Sequence, residues 1–253
     1  MFGQDLQYKT GLSWRGKWAY RFLGEMYVGD RIRSMHVFRK LREMGLPRAG
    51  TQILDAGCGG GAYAFALARY YPTVQITGIE IAENLVGEAR VCLGKSGLHN
   101  MRFRQGDLTE ISEVDAYDLV LCIAVLEHIQ DDVEALRAIH RAMKRGGILL
   151  IEVPKDTRYA KRHFHKSLSH PNHVRPGYLQ EQICSVLHTA GFEIRDVEYL
   201  FGFWGSLAWE MGQVMSLSVL QLLAYPFLGF LGRLDLVCPK RDGNGLLITA
   251  MRS

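Results

Sequence analysis

Thr51-Gln-Ile-Leu-Asp55-Ala-Gly57-Cys58-Gly59-Gly60-Gly61-Ala62 decides how this chain folds. Ile53 and Leu54 are apolar, Asp55 ends the run, and four glycines follow before a helical pattern begins at Ala62. The stretch reads as a buried strand, a tight turn and a helix. Glycines in such a turn permit positive φ and let the backbone approach a ligand closely. The helix N-terminus then points its amides at whatever occupies the turn. Taken alone, the pattern would serve a dinucleotide equally well.

Working outward, four further motifs follow in order. Val74-Gln-Ile-Thr-Gly-Ile79 reads as a second strand ending on Glu80. A carboxylate at that strand end, roughly 20 residues after the glycine turn, suits a ribose diol. Phe103-Arg-Gln-Gly-Asp107-Leu108 is the third piece. Tyr117-Asp-Leu-Val-Leu-Cys122, followed by Ile123-Ala124-Val-Leu-Glu127-His128-Ile129, is the fourth, and Gly146-Gly147-Ile-Leu-Leu-Ile-Glu-Val153 the fifth.

This series resembles the class I S-adenosylmethionine (SAM)-dependent methyltransferases over about residues 50–200. The resemblance implies a Rossmann-like α/β fold: a doubly wound, seven-stranded mixed sheet whose last two strands pair antiparallel. It implies SAM as cofactor. Asp55, Gly57, Cys58, Gly59 and Gly61 would surround the methionine half. Glu80 would hold the ribose, with Ile81 against the adenine. Asp107 and Leu108 would contact the adenine, and the backbone at Ile123 and Ala124 would face the amino-acid end. A NAD-type oxidoreductase is the rival, but it wants Gly-x-Gly-x-x-Gly, whereas the glycines here run Gly57-x-Gly59-Gly60-Gly61.

The organisation expected is a pair of cap helices in residues 1–50 and a SAM-binding domain in 51–253. An apolar helical insertion, about 203–237, precedes the last strand. Residues 1–50 hold ten Lys/Arg against four Asp/Glu, although the whole chain carries only +4. Trp14, Trp18, Phe22 and Met26 recur every four residues and share a helix face, which reads as packing or as a membrane-touching surface. A second helix is expected over Asp30–Met44, stopped by Gly45 and Pro47. Helices are also expected over Asp131–Lys144 and Gly177–Ala190, and strands over Phe192–Leu200 and Gly245–Met251. Met211–Gly232 contains no charged residue. Length alone would let it span a membrane. Its place between two strands of one sheet forbids a single pass, and Pro226 should split it into two helical pieces. A lid, a dimer interface and a membrane contact stay open for it.

Methyl transfer needs an aligned nucleophile and, for a hydroxyl, removal of its proton. His173, in His173-Val-Arg-Pro-Gly-Tyr178, is the first choice of acceptor-side base, against a loop-bracing role. His128 is the second, against a role in ordering its loop. His163, His165, His170 and His173 match no strong metal pattern, so no metal is expected. Ala124 stands where relatives acting on ubiquinone precursors carry an additional glutamate, which weakens a metal-assisted reading. Five scattered cysteines show no disulfide framework and the N-terminus is unlike a signal peptide, so a cytoplasmic setting is expected.

The reading is O-methylation of a hydrophobic or lipid-like small molecule. N- or C-methylation of a natural product, or a non-catalytic SAM-binding scaffold, are the alternatives. Homodimerisation and membrane-surface contact are open. Nucleic acid is not expected as a partner, because Cys122-Ile-Ala-Val replaces the Asn/Asp-Pro-Pro-Tyr motif.

Overall fold

The computed structural model describes residues 2–12, 14–23, 27–156, 173–214, 219–238 and 242–253. The side chains of Trp14 and Phe22, Met26, and the loop cations and histidines Lys161, Arg162, His163, His165, Lys166 and His170 lie outside that description.

Seven strands form one sheet in the order β3-β2-β1-β4-β5-β7-β6. They are β1 (Gln52–Ala56), β2 (Gln75–Glu80), β3 (Met101–Gln105), β4 (Tyr117–Ile123), β5 (Met143–Pro154), β6 (Phe192–Leu200) and β7 (Gly245–Arg252). The first five are parallel to one another, and β7 runs antiparallel to both β5 and β6. The expected mixed sheet, closed by an antiparallel pair, is thus present.

Parallel strands are covered on both faces, so their sequences are apolar almost throughout. Alternate residues divide between two cores. Ile53, Leu119 and Leu121 face one, and Leu54, Val120 and Cys122 the other. Helices α2 (Val28–Glu43), α3 (Ala62–Tyr70), α4 (Glu83–Ser96), α7 (Phe203–Val214) and α8 (Val219–Val237) contribute to the first core. Helices α5 (Asp132–Ala142) and α6 (Gln180–Thr189) contribute to the second. Asp131 accepts the Glu134 N–H at 3.0 Å and so caps α5. A short helix, α1 (Trp14–Leu23), precedes α2. The strand order reverses between β1 and its neighbours β2 and β4, and a crevice opens there at the carboxyl ends.

Pro226 does not split the insertion; α8 runs through it from Val219 to Val237. A proline in a helix loses one N–H and crowds the preceding turn, at a cost of about 3 kcal/mol. Burial offsets this: Tyr225, Leu228 and Leu231 are all nearly inaccessible, the last two in the core that α2 shares. The insertion is therefore a wall of the fold as well as any lid. No described helix is long and apolar enough to cross a membrane.

Ion pairs tie α2 to β6. Lys40 bonds Asp196 and Glu198, and Arg39 bonds Glu198. Burial works against the Glu198 carboxylate, yet hydrogen bonds from Lys40 and Arg39 prevail and lower its pKa to about 2. A depressed carboxylate stabilises the fold above its unfolded pKa, and that contribution is lost as pH falls through the folded value. The melting temperature is therefore expected to fall between pH 4.5 and about 2, and less steeply in Glu198→Gln. Parallel pH profiles for the two proteins would show that the network contributes nothing.

Candidate active site

The turn after β1 is fastened to the end of β2. Ile79 O accepts the Gly57 N–H at 2.8 Å and the Cys58 N–H at 2.9 Å. Gly57 has φ 71°, and a Cβ there would lie 2.5 Å from both Val125 methyls, so only glycine fits. Gly59 has φ 52°, and a Cβ there would meet nothing within 4 Å. Its open side leaves backbone accessible to a ligand. Cys58 borders the turn through its backbone only. Its Sγ points at β2, 2.8 Å from where a Gly78 Cβ would stand, and burial raises its pKa.

Glu80 reaches back across the crevice. Its Oε2 accepts the Gly59 N–H at 2.9 Å and its Oε1 the Ala82 N–H at 3.0 Å. Asp55 is almost fully buried, and its Oδ2 accepts the Ala64 N–H at 3.1 Å. Asp55 thereby holds the first turn of α3. Burial, with a smaller push from Glu80, raises its carboxyl to about 7. Asp107 Oδ1 accepts from Thr109 N and Oγ1, both at 2.8 Å, while the Leu108 side chain enters the second core. Ile81 is 63% exposed at the mouth of the crevice. Ile123 ends β4, and Ala124 follows in the left-handed region at φ 55°, donating its N–H to Glu152 O at 3.0 Å. A non-glycine residue there stores strain of about 1–3 kcal/mol.

The two candidate histidines, 45 positions apart, meet. The His128 and His173 rings are 4.6 Å apart, edge to face. Donor atoms of Glu127, His128 and His173 all lie within 4.8 Å of one another. Arg175 and Tyr178 produce this meeting. Arg175 donates to Ile129 O at 2.9 Å and Gln130 O at 3.0 Å and pairs with Asp132. Tyr178 OH donates to Asp132 Oδ2 at 2.8 Å, and Val174 N–H to Glu127 O at 3.0 Å. The segment after β5 is thereby clamped onto the loop after β4. Glu127 is buried, and its Oε2 has no hydrogen-bond partner. Burial, reinforced by Glu152, pushes its carboxyl up to about 8.

Beneath this set lies an ion pair from the N-terminal region. Arg33 Nε of α2 is 2.8 Å from Glu152 Oε2 of β5. Burial opposes the guanidinium charge, but Glu152 and Asp30 more than offset it and raise the Arg33 pKa. Burial also pushes Glu152 upward against the pull of Arg33.

A family model described as a methyltransferase domain matches residues 47–198, more than half of the chain. The chain belongs to this methyltransferase family. The ubiquinone biosynthesis O-methyltransferase of Xanthomonas axonopodis pv. citri is 28% identical over 194 residues, covering 71% of this chain and 77% of that one. Its namesake from Pseudomonas syringae pv. tomato is 37% identical over 101 residues, and the match spans only 39% of this chain and 42% of the relative. Among solved structures, Haemonchus contortus phosphoethanolamine N-methyltransferase 2 in complex with S-adenosyl-L-methionine superposes with TM-score 0.64 at 20% identity, covering 96% of this chain and 60% of that one. The [4+2]-cyclase SpnF does so with TM-score 0.60 at 24% identity, covering 96% and 83%. At such identities the likeness shows fold alone, and a cyclase sharing it shows why function must rest on the site.

SAM is the cofactor of this methyltransferase family, and the crevice fits it. The open side of Gly59 and the strand-end Glu80 are what an uncharged ribose and a methionine chain require. The methyltransferase sequence also held residues that motif reading passed over. Lys9 lies over the turn, its Nζ 3.3 Å from where a Gly60 Cβ would stand. Nothing in the local sequence announces this, because a 3-10 turn at Gln4–Tyr8 brings it there. Arg175 and Tyr178 did carry a signal, standing inside the His173–Tyr178 segment. The ligand-type cluster joins Glu127 and His128 to His173, the one of the four loop histidines that lies among the described residues.

Proposed function

We propose that this methyltransferase O-methylates a hydrophobic or lipid-like small molecule in the crevice beyond β4 and β5. The observation that carries the reading is the convergence of His128, His173 and Glu127. SAM supplies a methyl already activated by a positive sulfur. The remaining task is to position a hydroxyl and remove its proton. Either imidazole suits a hydroxyl proton near neutral pH. Glu127 lies beside the pair, with a carboxylate oxygen within 4.8 Å of a ring nitrogen of each. Glu80 accepts from the ribose hydroxyls, the turn at Gly57–Gly61 borders the methionine half, and Ile81 with Asp107 flanks the adenine. The name shared by the relatives, ubiquinone biosynthesis O-methyltransferase, supports an oxygen acceptor on a small apolar molecule. The apolar α7–α8 wall supports the same acceptor class. Contact with a membrane surface belongs to this reading, since a lipid-like acceptor resides there.

The Glu127–His128–His173 set also favours a second reading, in which a divalent cation orients the acceptor oxygen. Carboxylate and imidazole together suit such ions. The test is methyl transfer from labelled SAM to a panel of phenols, catechols and lipid extracts, with and without chelator. His173→Ala is expected to lower the rate by about 10²-fold, the scale for a lost general base. SAM affinity should be nearly unchanged. Full activity in His173→Ala together with loss in His128→Ala would move the role to His128.

A further inference from the structure

On the outer side of α2 a cavity of about 620 Å³ is lined by Phe2, Arg31, Phe38, Arg42, Tyr70 and Arg233 among others. Tyr70 ends α3, whose other end follows the glycine turn, about 12 Å away along the helix axis. Three arginines line the cavity, and none of the described residues that line it is a carboxylate.

The cavity continues onto an apolar ridge of α8. Arg31 lies over the Tyr225 ring at 4.3 Å, and its Nη2 is 3.6 Å from where a Gly229 Cβ would stand. Arg233 is one turn beyond Gly229. Phe227, Phe230 and Val237 are 51%, 52% and 77% exposed. With Arg233 they recur every three or four residues, so they share one face of the helix.

We propose that this groove and ridge dock the protein on an anionic phospholipid surface. The lipid phosphate enters the arginine-lined groove, and Phe227 and Phe230 enter the acyl boundary. Guanidinium forks match phosphate oxygens bidentately. Aromatic rings beside basic residues are the composition of a membrane-interfacial helix. A second copy of this chain fits poorly, because a two-fold contact places the same patch on both sides and would gather six arginines into one interface. The inference refines the membrane contact included in the reading above and locates it on α2 and α8 rather than on the Trp-bearing α1. It does not depend on methyl transfer.

The test is flotation of the full chain with vesicles of phosphatidylcholine, alone or mixed with phosphatidylglycerol, over a salt series. Wild type should float only with phosphatidylglycerol, and less as salt rises. Arg42→Glu with Arg233→Glu should weaken binding by at least about 25-fold, at roughly a factor of five per basic residue lost. Phe227→Ser with Phe230→Ser should weaken it also. All four positions are solvent-accessible, so thermal unfolding and SAM affinity should stay at wild-type values. Those two readouts separate failure of this docking site from failure of the methyltransferase reading. The proposal is overturned if wild type fails to float, or if both variants float as wild type does. It is also overturned if the arginines bind inorganic pyrophosphate in calorimetry while vesicles are ignored, which would mark a soluble anion site. A dimer in solution that Phe227→Ser with Phe230→Ser dissolves, without vesicle binding, would assign the ridge to self-association.

Discussion

Replacing Asp235 by alanine is expected to lower the unfolding free energy by about 3–5 kcal/mol, the scale for removing one partner of a buried pair. Asp235 is 1% exposed, on α8. Its Oδ2 is 3.0 Å from His36 Nε2 of α2, and its Oδ1 accepts the Gly205 N–H of α7 at 3.0 Å. One side chain therefore joins three helices. Gly205 permits the approach, since a Cβ there would lie 2.8 Å from the carboxyl carbon. Truncation leaves a buried imidazole and a buried amide without that acceptor, and each carries a desolvation cost. For a chain of this size the melting temperature should fall by roughly 10 °C. Asp235→Asn keeps one acceptor and should cost less. Denaturant unfolding is the measurement. A loss under about 1 kcal/mol for alanine would mean that water satisfies the site, and the insertion would be a looser attachment than its burial indicates.

The second large effect concerns Glu80. Glu80→Ala is expected to weaken SAM binding by about 1–3 kcal/mol, or roughly 5- to 150-fold. Its two oxygens already accept the Gly59 and Ala82 amides. Ionised carboxylate oxygens retain further lone pairs, and a ribose diol can use them. Losing Glu80 would thus remove hydroxyl acceptors and release the amide that poses the glycine turn. Glu80→Gln isolates part of this, because an amide retains one acceptor oxygen. Calorimetric titration with SAM decides the matter. Unchanged affinity in Glu80→Ala would remove Glu80 from the ribose site.

The sheet was legible because its signals are local. Apolar runs ending on Asp55, Glu80 and Cys122, each followed by a turn or helix pattern, placed β1, β2 and β4 to within a residue or two. The helix expected over Asp131–Lys144 shrinks to Asp132–Ala142, because β5 already begins at Met143. Non-local facts were harder to see. The Pro226 rule failed because tertiary burial outweighs a local backbone cost. The turn beside Asp55 is visible in sequence, whereas the bond from the Ala64 amide to Asp55 requires the fold. The meeting of His128 and His173 depends on Arg175 and Tyr178 holding the loop after β4. The groove between α2 and α8 joins residues about two hundred positions apart and has no linear trace.

The contact between Arg33 and Glu152 has a consequence for how the chain can be divided. Motif reading draws a line near residue 50, with an accessory piece before it and a self-sufficient catalytic unit after it. Cutting there would strand Glu152 in the interior without Arg33, the cation that pairs with it among the described residues. The accessory piece supplies the counter-charge for the buried carboxylate of β5. The protein therefore cannot be trimmed to the length its family signature suggests without altering the chemistry that signature denotes.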